Sequence, residues 1–122
     1  MRLSCKKFTW HDFDESINTI TEGLRPYKGH IQNIYGIPRG GLVLAVVLSH
    51  ILELPLVSTF KEGSNTLVVD DISDSGKTLL PFRRAGCTIA TIHVVSNTLV
   101  YPEVWVHMRE SEWVIYPWEK GD

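Results

Sequence analysis

The sequence predicts an α/β domain in which a parallel sheet carries helices on both faces. Three observations lead there. Apolar runs rich in β-branched residues alternate with segments of helical spacing, the order that parallel strands joined by crossover helices require. The run Leu67-Val68-Val69 has the unbroken apolar character of a strand buried on both sides. It passes straight into Asp70 and Asp71 and then a small, hydroxyl-rich loop, as a parallel strand does when it presents polar groups at its carboxyl end.

The elements follow in order. Thr9-Trp10-His11-Asp12 has the spacing of a capping box, in which a hydroxyl and a carboxylate satisfy each other's exposed N–H groups. Phe13, Ile17, Ile20 and Leu24 continue at helical spacing, so the first helix runs from about residue 10 to 24 and stops before Pro26. Asn33 to Ile37 reads as a short strand, Gly41 to Leu52 as a largely buried helix, and Leu56 to Phe60 as a second strand. Lys61 to Asn65 is a turn. The strand Thr66 to Asp70 comes next, then a helix from about Lys77 to Arg84 that Gly86 is suited to end in a left-handed conformation. Thr88 to Val95 is another parallel strand, and Val104 to His107 and Trp113 to Ile115 suit short edge strands.

At 122 residues the chain suits one domain spanning residues 1–122. Its 43% hydrophobic and 21% charged residues lie in the ordinary soluble range. A formal charge of −2 without basic or acidic blocks gives no electrostatic footprint for nucleic acid or an anionic membrane, so a small molecule is the expected partner. Leu42 to Leu48, the longest apolar stretch, is too short to span a bilayer, and the charged first ten residues lack a signal peptide's apolar core. The expected location is cytoplasmic. Cys5 and Cys87 then read as free thiols, and His11, His30, His50, His93 and His107 show no metal-ligand spacing. His11, in the first turn of its helix, is expected to face solvent.

Residues 66 to 78 carry the chemistry. Asp70 and Asp71 stand where a ribose diol can donate to them, and Ser75, Gly76, Lys77 and Thr78 open a helix whose unpaired N–H groups suit a phosphate. Ile37-Pro38-Arg39-Gly40-Gly41 is a second strand-loop-helix junction, with two glycines freeing the backbone and Arg39 offering a planar fork to phosphate oxygens. Alone it would read as an ordinary turn; one helix and one strand before the Asp-Asp strand it gains weight. Trp113 in the closing Trp-Val-Ile-Tyr-Pro-Trp-Glu run is either a packed core residue or a face on which a base stacks.

The whole of residues 66–78 resembles the signature of the type I phosphoribosyltransferases, which bind 5-phosphoribosyl-1-pyrophosphate (PRPP), and Ile-Pro-Arg-Gly-Gly-Leu resembles their pyrophosphate loop. Thr9-Trp10, Arg39 to Val43 and the closing Trp-hydrophobic-x-x-Pro-Trp-acid segment are similar to the bacterial xanthine-guanine subfamily. The resemblance implies a Rossmann-like sheet with a reduced flexible loop and a small C-terminal hood. It implies transfer of a phosphoribosyl group to a purine with release of pyrophosphate, giving a nucleoside monophosphate. Asp70 and Asp71 would take the ribose hydroxyls, with Asp71 nearer Mg2+. Asp74 would be the catalytic base. Ser75, Gly76, Lys77 and Thr78 would hold the 5′-phosphate, Arg39 and Gly40 the pyrophosphate, and Trp113 with Val114 the purine. A homo-oligomer, dimer or tetramer, is the family habit.

Two departures qualify these expectations. The family's long loop before the Asp-Asp strand is here only Lys61 to Asn65, which predicts slow turnover, leakage to hydrolysis, a lid lent by another subunit, or no catalysis. The lysine that addresses the purine's exocyclic oxygen is absent from His93-Val94-Val95-Ser96-Asn97, leaving Ser96 or Asn97 as neutral donors. A non-catalytic module that senses PRPP or nucleotide, and a transferase acting on another nitrogenous base, remain as alternatives.

Overall fold

A computed structural model describes residues 4–110 and 112–119. The chain starts with strand β1 (Cys5–Lys7), followed by helix α1 (Trp10–Leu24), a 3-10 turn (Arg25–His30), strand β2 (Asn33–Gly36) and helix α2 (Gly40–Leu52). Strands β3 (Leu56–Val57) and β4 (Thr66–Ser73), helix α3 (Leu80–Arg84), and strands β5 (Thr88–Val95), β6 (His107–Arg109) and β7 (Trp113–Ile115) complete it. Five strands form one parallel sheet in the order β3-β2-β4-β5-β6, and β1 pairs in parallel with β7 as a separate two-stranded sheet.

The capping box forms as the sequence predicts. The Thr9 N–H donates to the Asp12 carboxylate at 2.9 Å, and the Asp12 N–H donates to the Thr9 hydroxyl at 3.1 Å. These bonds hold the Asp12 carboxyl below the usual carboxylate range, since the Thr9 backbone N–H favours its charged form. His11 faces solvent, with 82% of its side chain exposed.

Alternation along the strands sends side chains to two layers. Leu67 and Val69 of β4 and Ala90 and Ile92 of β5 pack under α1 and α2 with Ile17, Ile20, Leu24, Leu44 and Leu48. Val68 and Ile89 face the other way, onto Leu79, Cys87, Val100 and the partly buried Phe82 beside α3. Helices therefore cover both faces, the condition under which parallel strands stay continuously apolar. Cys5 and Cys87 are free thiols. Among the described residues no helix is long and apolar enough to cross a membrane.

Several boundaries differ from expectation for tertiary reasons. β4 runs on to Ser73, three residues beyond Asp70, because β5 continues to pair with it as far as Ser73 opposite Val94. β3 has only two residues; the chain then turns so that the Phe60 ring can pack edge-on to Phe82 at 5.1 Å. α3 starts at Leu80 rather than near Lys77, since residues 74–79 form turns held by the segment after β5. Val104 makes only an isolated bridge to Ala90, and the edge strand forms three residues later, at His107–Arg109. β1 has no alternating apolar signal and exists through its partner: besides the ladder, Trp113 N–H donates to the Ser4 carbonyl at 2.7 Å and Phe8 N–H to the Ile115 carbonyl at 2.9 Å.

Candidate active site

The strand order places the site. From β2 the chain moves outward to β3 and then returns to β4 on the other side of β2, so the direction of winding reverses between β2 and β4. A crevice opens beyond the carboxyl ends of strands at such a reversal. Two predicted loops meet there. Arg39 and Gly40 follow β2, and Asp70 and Asp71 lie on β4 just past Val69, the last residue paired with β2.

The contact between them is close. A β-carbon at Gly40 would collide with the Asp71 carboxylate, and one at Gly41 would collide with the Val69 carbonyl. Glycine at both positions lets the start of α2 press directly on β4. The N–H groups of Arg39 and Gly40 donate to no acceptor among the described residues, so the positive end of α2 opens on the crevice. The Arg39 side chain is exposed.

Asp70 and Asp71 are both partly buried, and Asp70 Oδ1 accepts the Asp71 N–H at 2.8 Å. Burial, reinforced by the neighbouring Asp71 charge, pushes the Asp70 carboxyl up to about 8. Burial raises Asp71 as well. A carboxylate pair so placed gains from any group that donates hydrogen bonds or positive charge. Two acidic oxygen donors that need charge compensation fit Mg2+, a hard cation that completes its shell with water and substrate oxygens.

The following loop is firmly held. Asp70 to Gly76 and Thr78 line a cleft of about 220 Å³. The Ser73 hydroxyl donates to the Val100 carbonyl at 2.7 Å and lies 2.8 Å from the Thr98 hydroxyl, which therefore donates to it. Leu99 N–H donates to the Ser75 carbonyl at 2.9 Å. Gly76 has φ +86° and packs so tightly on Thr98, Leu99 and Val100 that a β-carbon has no room. The N–H groups of Gly76 and Thr78 donate to no acceptor among the described residues and remain available to an anion. Lys77 differs from its expected place: its N–H donates to the Ser75 hydroxyl at 3.2 Å, and its exposed side chain does not line the cleft.

At the hood, β7 carries Trp113 with half its surface exposed, whereas Val114 is buried in the core beside Phe8 and Tyr116. Val114 can thus offer a ligand little beyond its backbone. Trp118 belongs to the packing, stacked on Tyr116 at 5.0 Å and edge-on to Phe13 at 5.6 Å. Tyr116 also ties the hood to the crevice. Its hydroxyl donates to the Asp71 carbonyl at 3.3 Å and lies 2.8 Å from His93 Nδ1, so both bonds form together when His93 carries its proton on Nδ1. Burial keeps Tyr116 protonated and lowers the His93 imidazole to about 4, which makes His93 a neutral, satisfied core residue.

Sequence reasoning missed Arg109. Its Nη2 lies 3.1 Å from Asp74 Oδ2, and its guanidinium lies over the Trp113 ring at 5.1 Å from the centroid. The only signal was a basic residue four positions before Trp113, which says nothing without the β5–β6 register. The expected short lid also takes a definite course. Ser64 closes a turn onto the Lys61 carbonyl, Asn65 accepts from the Gln32 N–H, and Thr66 donates to Asn33. Those contacts lie at the amino ends of β2 and β4, the edge opposite the crevice.

A doubly covered parallel sheet with free N–H groups at its winding reversal is the architecture in which α/β proteins place anionic ligands. Comparison with known proteins narrows this. A purine phosphoribosyltransferase from Pyrococcus horikoshii is 30% identical and superposes with a TM-score of 0.84 over 97% of this chain and 96% of that one. A xanthine-guanine phosphoribosyltransferase from Cereibacter sphaeroides is 26% identical over 125 residues, covering 80% of this chain and 75% of its own. The Helicobacter pylori xanthine-guanine-hypoxanthine enzyme, at 17% identity over 94% of each chain, shares the fold with a TM-score of 0.81. No family model matches the sequence. The chain belongs to the type I phosphoribosyltransferase family, among the purine phosphoribosyltransferases.

Proposed function

We propose that this protein transfers the 5-phosphoribosyl group from PRPP to a purine of the xanthine, guanine and hypoxanthine type, releasing pyrophosphate and forming a nucleoside monophosphate. The observation that carries the reading is the meeting of Gly40 with Asp71 at the reversal between β2 and β4, with the pinned 73–78 loop alongside.

In this reading the ribose hydroxyls donate to Asp70 and Asp71. The free N–H groups of Gly76 and Thr78, with the Ser75 and Thr78 hydroxyls, bind the 5′-phosphate, and Lys77 adds only a distant positive charge. Arg39 and the N–H groups at the start of α2 hold the pyrophosphate. Asp71 would hold Mg2+, which when bound neutralises charge on the departing pyrophosphate. Asp74 accepts the proton from the purine ring nitrogen and stabilises positive charge on the ribose as the C1–O bond breaks. Trp113 supplies the stacking face. Leu42 and Val46, exposed one turn apart on α2, offer an apolar strip to a second copy.

The course of residues 61–65 supports a second reading, a module that binds PRPP or nucleotide without turnover, because this turn folds at the amino ends of β2 and β4, away from the crevice. One assay separates the two. Pyrophosphate release from PRPP and Mg2+ is followed with guanine, xanthine, hypoxanthine, adenine or no base. Base-dependent release with the matching nucleotide is the result expected; binding without release would favour the sensor.

A further inference from the structure

The feature that the proposed reaction leaves unused is Arg109. It ends β6 opposite Val95, next to the segment 93–97 in which a lysine is missing. Its side chain is only 14% exposed although Asp74, its partner, is 50% exposed, and its Nε is buried with no hydrogen-bond partner among the described residues. The guanidinium is a flat cation lying on the indole face of Trp113 and paired with the Asp74 carboxylate. A purine in the proposed pocket needs that same face and that same acid.

Resting on the proposed function, we infer that Arg109 determines base specificity: its guanidinium holds the place of the base in the free protein and, once the base enters, donates to the exocyclic oxygen of a 6-oxopurine. A cleft of about 240 Å³ lined by Arg109, Lys6, His93, His107, Glu110 and Glu112 adjoins it and gives the guanidinium room to withdraw from the indole. Arg109 can only donate and the Asp74 carboxylate only accepts. Together they match an edge that presents a carbonyl next to a ring N–H, the pattern of hypoxanthine, guanine and xanthine. Adenine presents an amino group there, so two donors would face each other, and a site built of hydrogen-bonding groups rejects such a mismatch strongly. Arg109 thus performs, from the neighbouring strand, the task for which residues 93–97 offer no cation.

The test compares wild type, Arg109→Met and Arg109→Lys with hypoxanthine and adenine at saturating PRPP, alongside calorimetric binding of inosine and adenosine monophosphates. Wild type should prefer hypoxanthine, Arg109→Met should lose about 100-fold of that preference with the KM for PRPP unchanged, and Arg109→Lys should recover part of it. Equal loss for both bases, or an unchanged preference in Arg109→Met, would overturn the inference. If wild type shows no turnover, the transferase reading fails by itself, and the nucleotides decide the role of Arg109. A wild-type preference for inosine monophosphate that Arg109→Met abolishes would uphold it, and equal wild-type affinities would overturn it.

Discussion

The Asp71 carboxylate occupies the space that a side chain at Gly40 would need. One methyl group at residue 40 therefore reports on the whole crevice. Asp71 is short and partly exposed, so it can rotate aside at small cost to folding, but it then leaves its place beside Asp70. Gly40→Ala is expected to unfold near the wild-type temperature and to bind PRPP with Mg2+ at least about tenfold more weakly, ~1.4 kcal/mol. Calorimetry paired with a thermal melt checks both.

The acidic pair makes stability fall with rising pH. Because Asp70 titrates near 8 in the folded chain and at an ordinary value of 3.8 when unfolded, the folded chain retains a proton that the unfolded one releases. Its contribution is fully present below about pH 4 and is lost as pH climbs to about 8. His93, lowered to about 4, acts in the opposite sense, with stability present above pH 6.5 and lost as pH falls toward 4. Asp70→Asn removes the first contribution and leaves that of His93. The difference in melting temperature between Asp70→Asn and wild type should grow from pH 5 to pH 8.5, with the variant more stable at the upper end; a constant difference would show that Asp70 titrates normally.

Ser73 lies at the base of the cleft, buried, with its hydroxyl already engaged by Val100 and Thr98. Its replacement by alanine leaves the Val100 carbonyl and the Thr98 hydroxyl short of a partner in a buried place, a loss of about 1–3 kcal/mol. Ser73→Ala should melt several degrees lower and also bind PRPP more weakly, because the 74–78 loop is fixed through the same contacts. A thermal melt gives the first quantity and calorimetric titration the second.

Much of this arrangement could be read from residues alone, and the exceptions share one cause. Phe13, Ile17, Ile20 and Leu24 lie on one face of α1, and Thr9 with Asp12 caps it, so local pattern and final packing agree. The same holds for the buried run of β4 and for Thr88–Val95, which forms a strand over the expected residues. Elements that depend on a distant partner stayed hidden. β1 is three exposed residues held by β7, and residues 74–79 remain turns because Thr98 to Val100 grip them from across the sheet. The residues that meet at the β2–β4 reversal were legible because glycines and adjacent acids stand together in sequence there. Arg109 was not, because its role arises from a β5–β6 register that no local pattern encodes.

Trp113 offers a test of the proposed base pocket apart from the proposed sugar site. Base stacking on an aromatic ring contributes about 1–3 kcal/mol, so Trp113→Ala should weaken nucleoside monophosphate binding by roughly 5- to 150-fold. Binding of PRPP should change little, since Trp113 lies on β7 and Asp70 on β4. Equal losses for the two ligands would place the effect in the fold rather than in the pocket.

The most direct measurement is the calorimetric titration of PRPP with Mg2+ into wild type and into the Asp70→Asn, Asp71→Asn double variant, whose amides keep the shape of the crevice and remove its charge. The account predicts saturable binding to the wild-type chain and none to the variant, with both melting cooperatively. Near-equal affinity in the two proteins would contradict it, because the ribose and its metal would then lie away from the crevice where Gly40 meets Asp71.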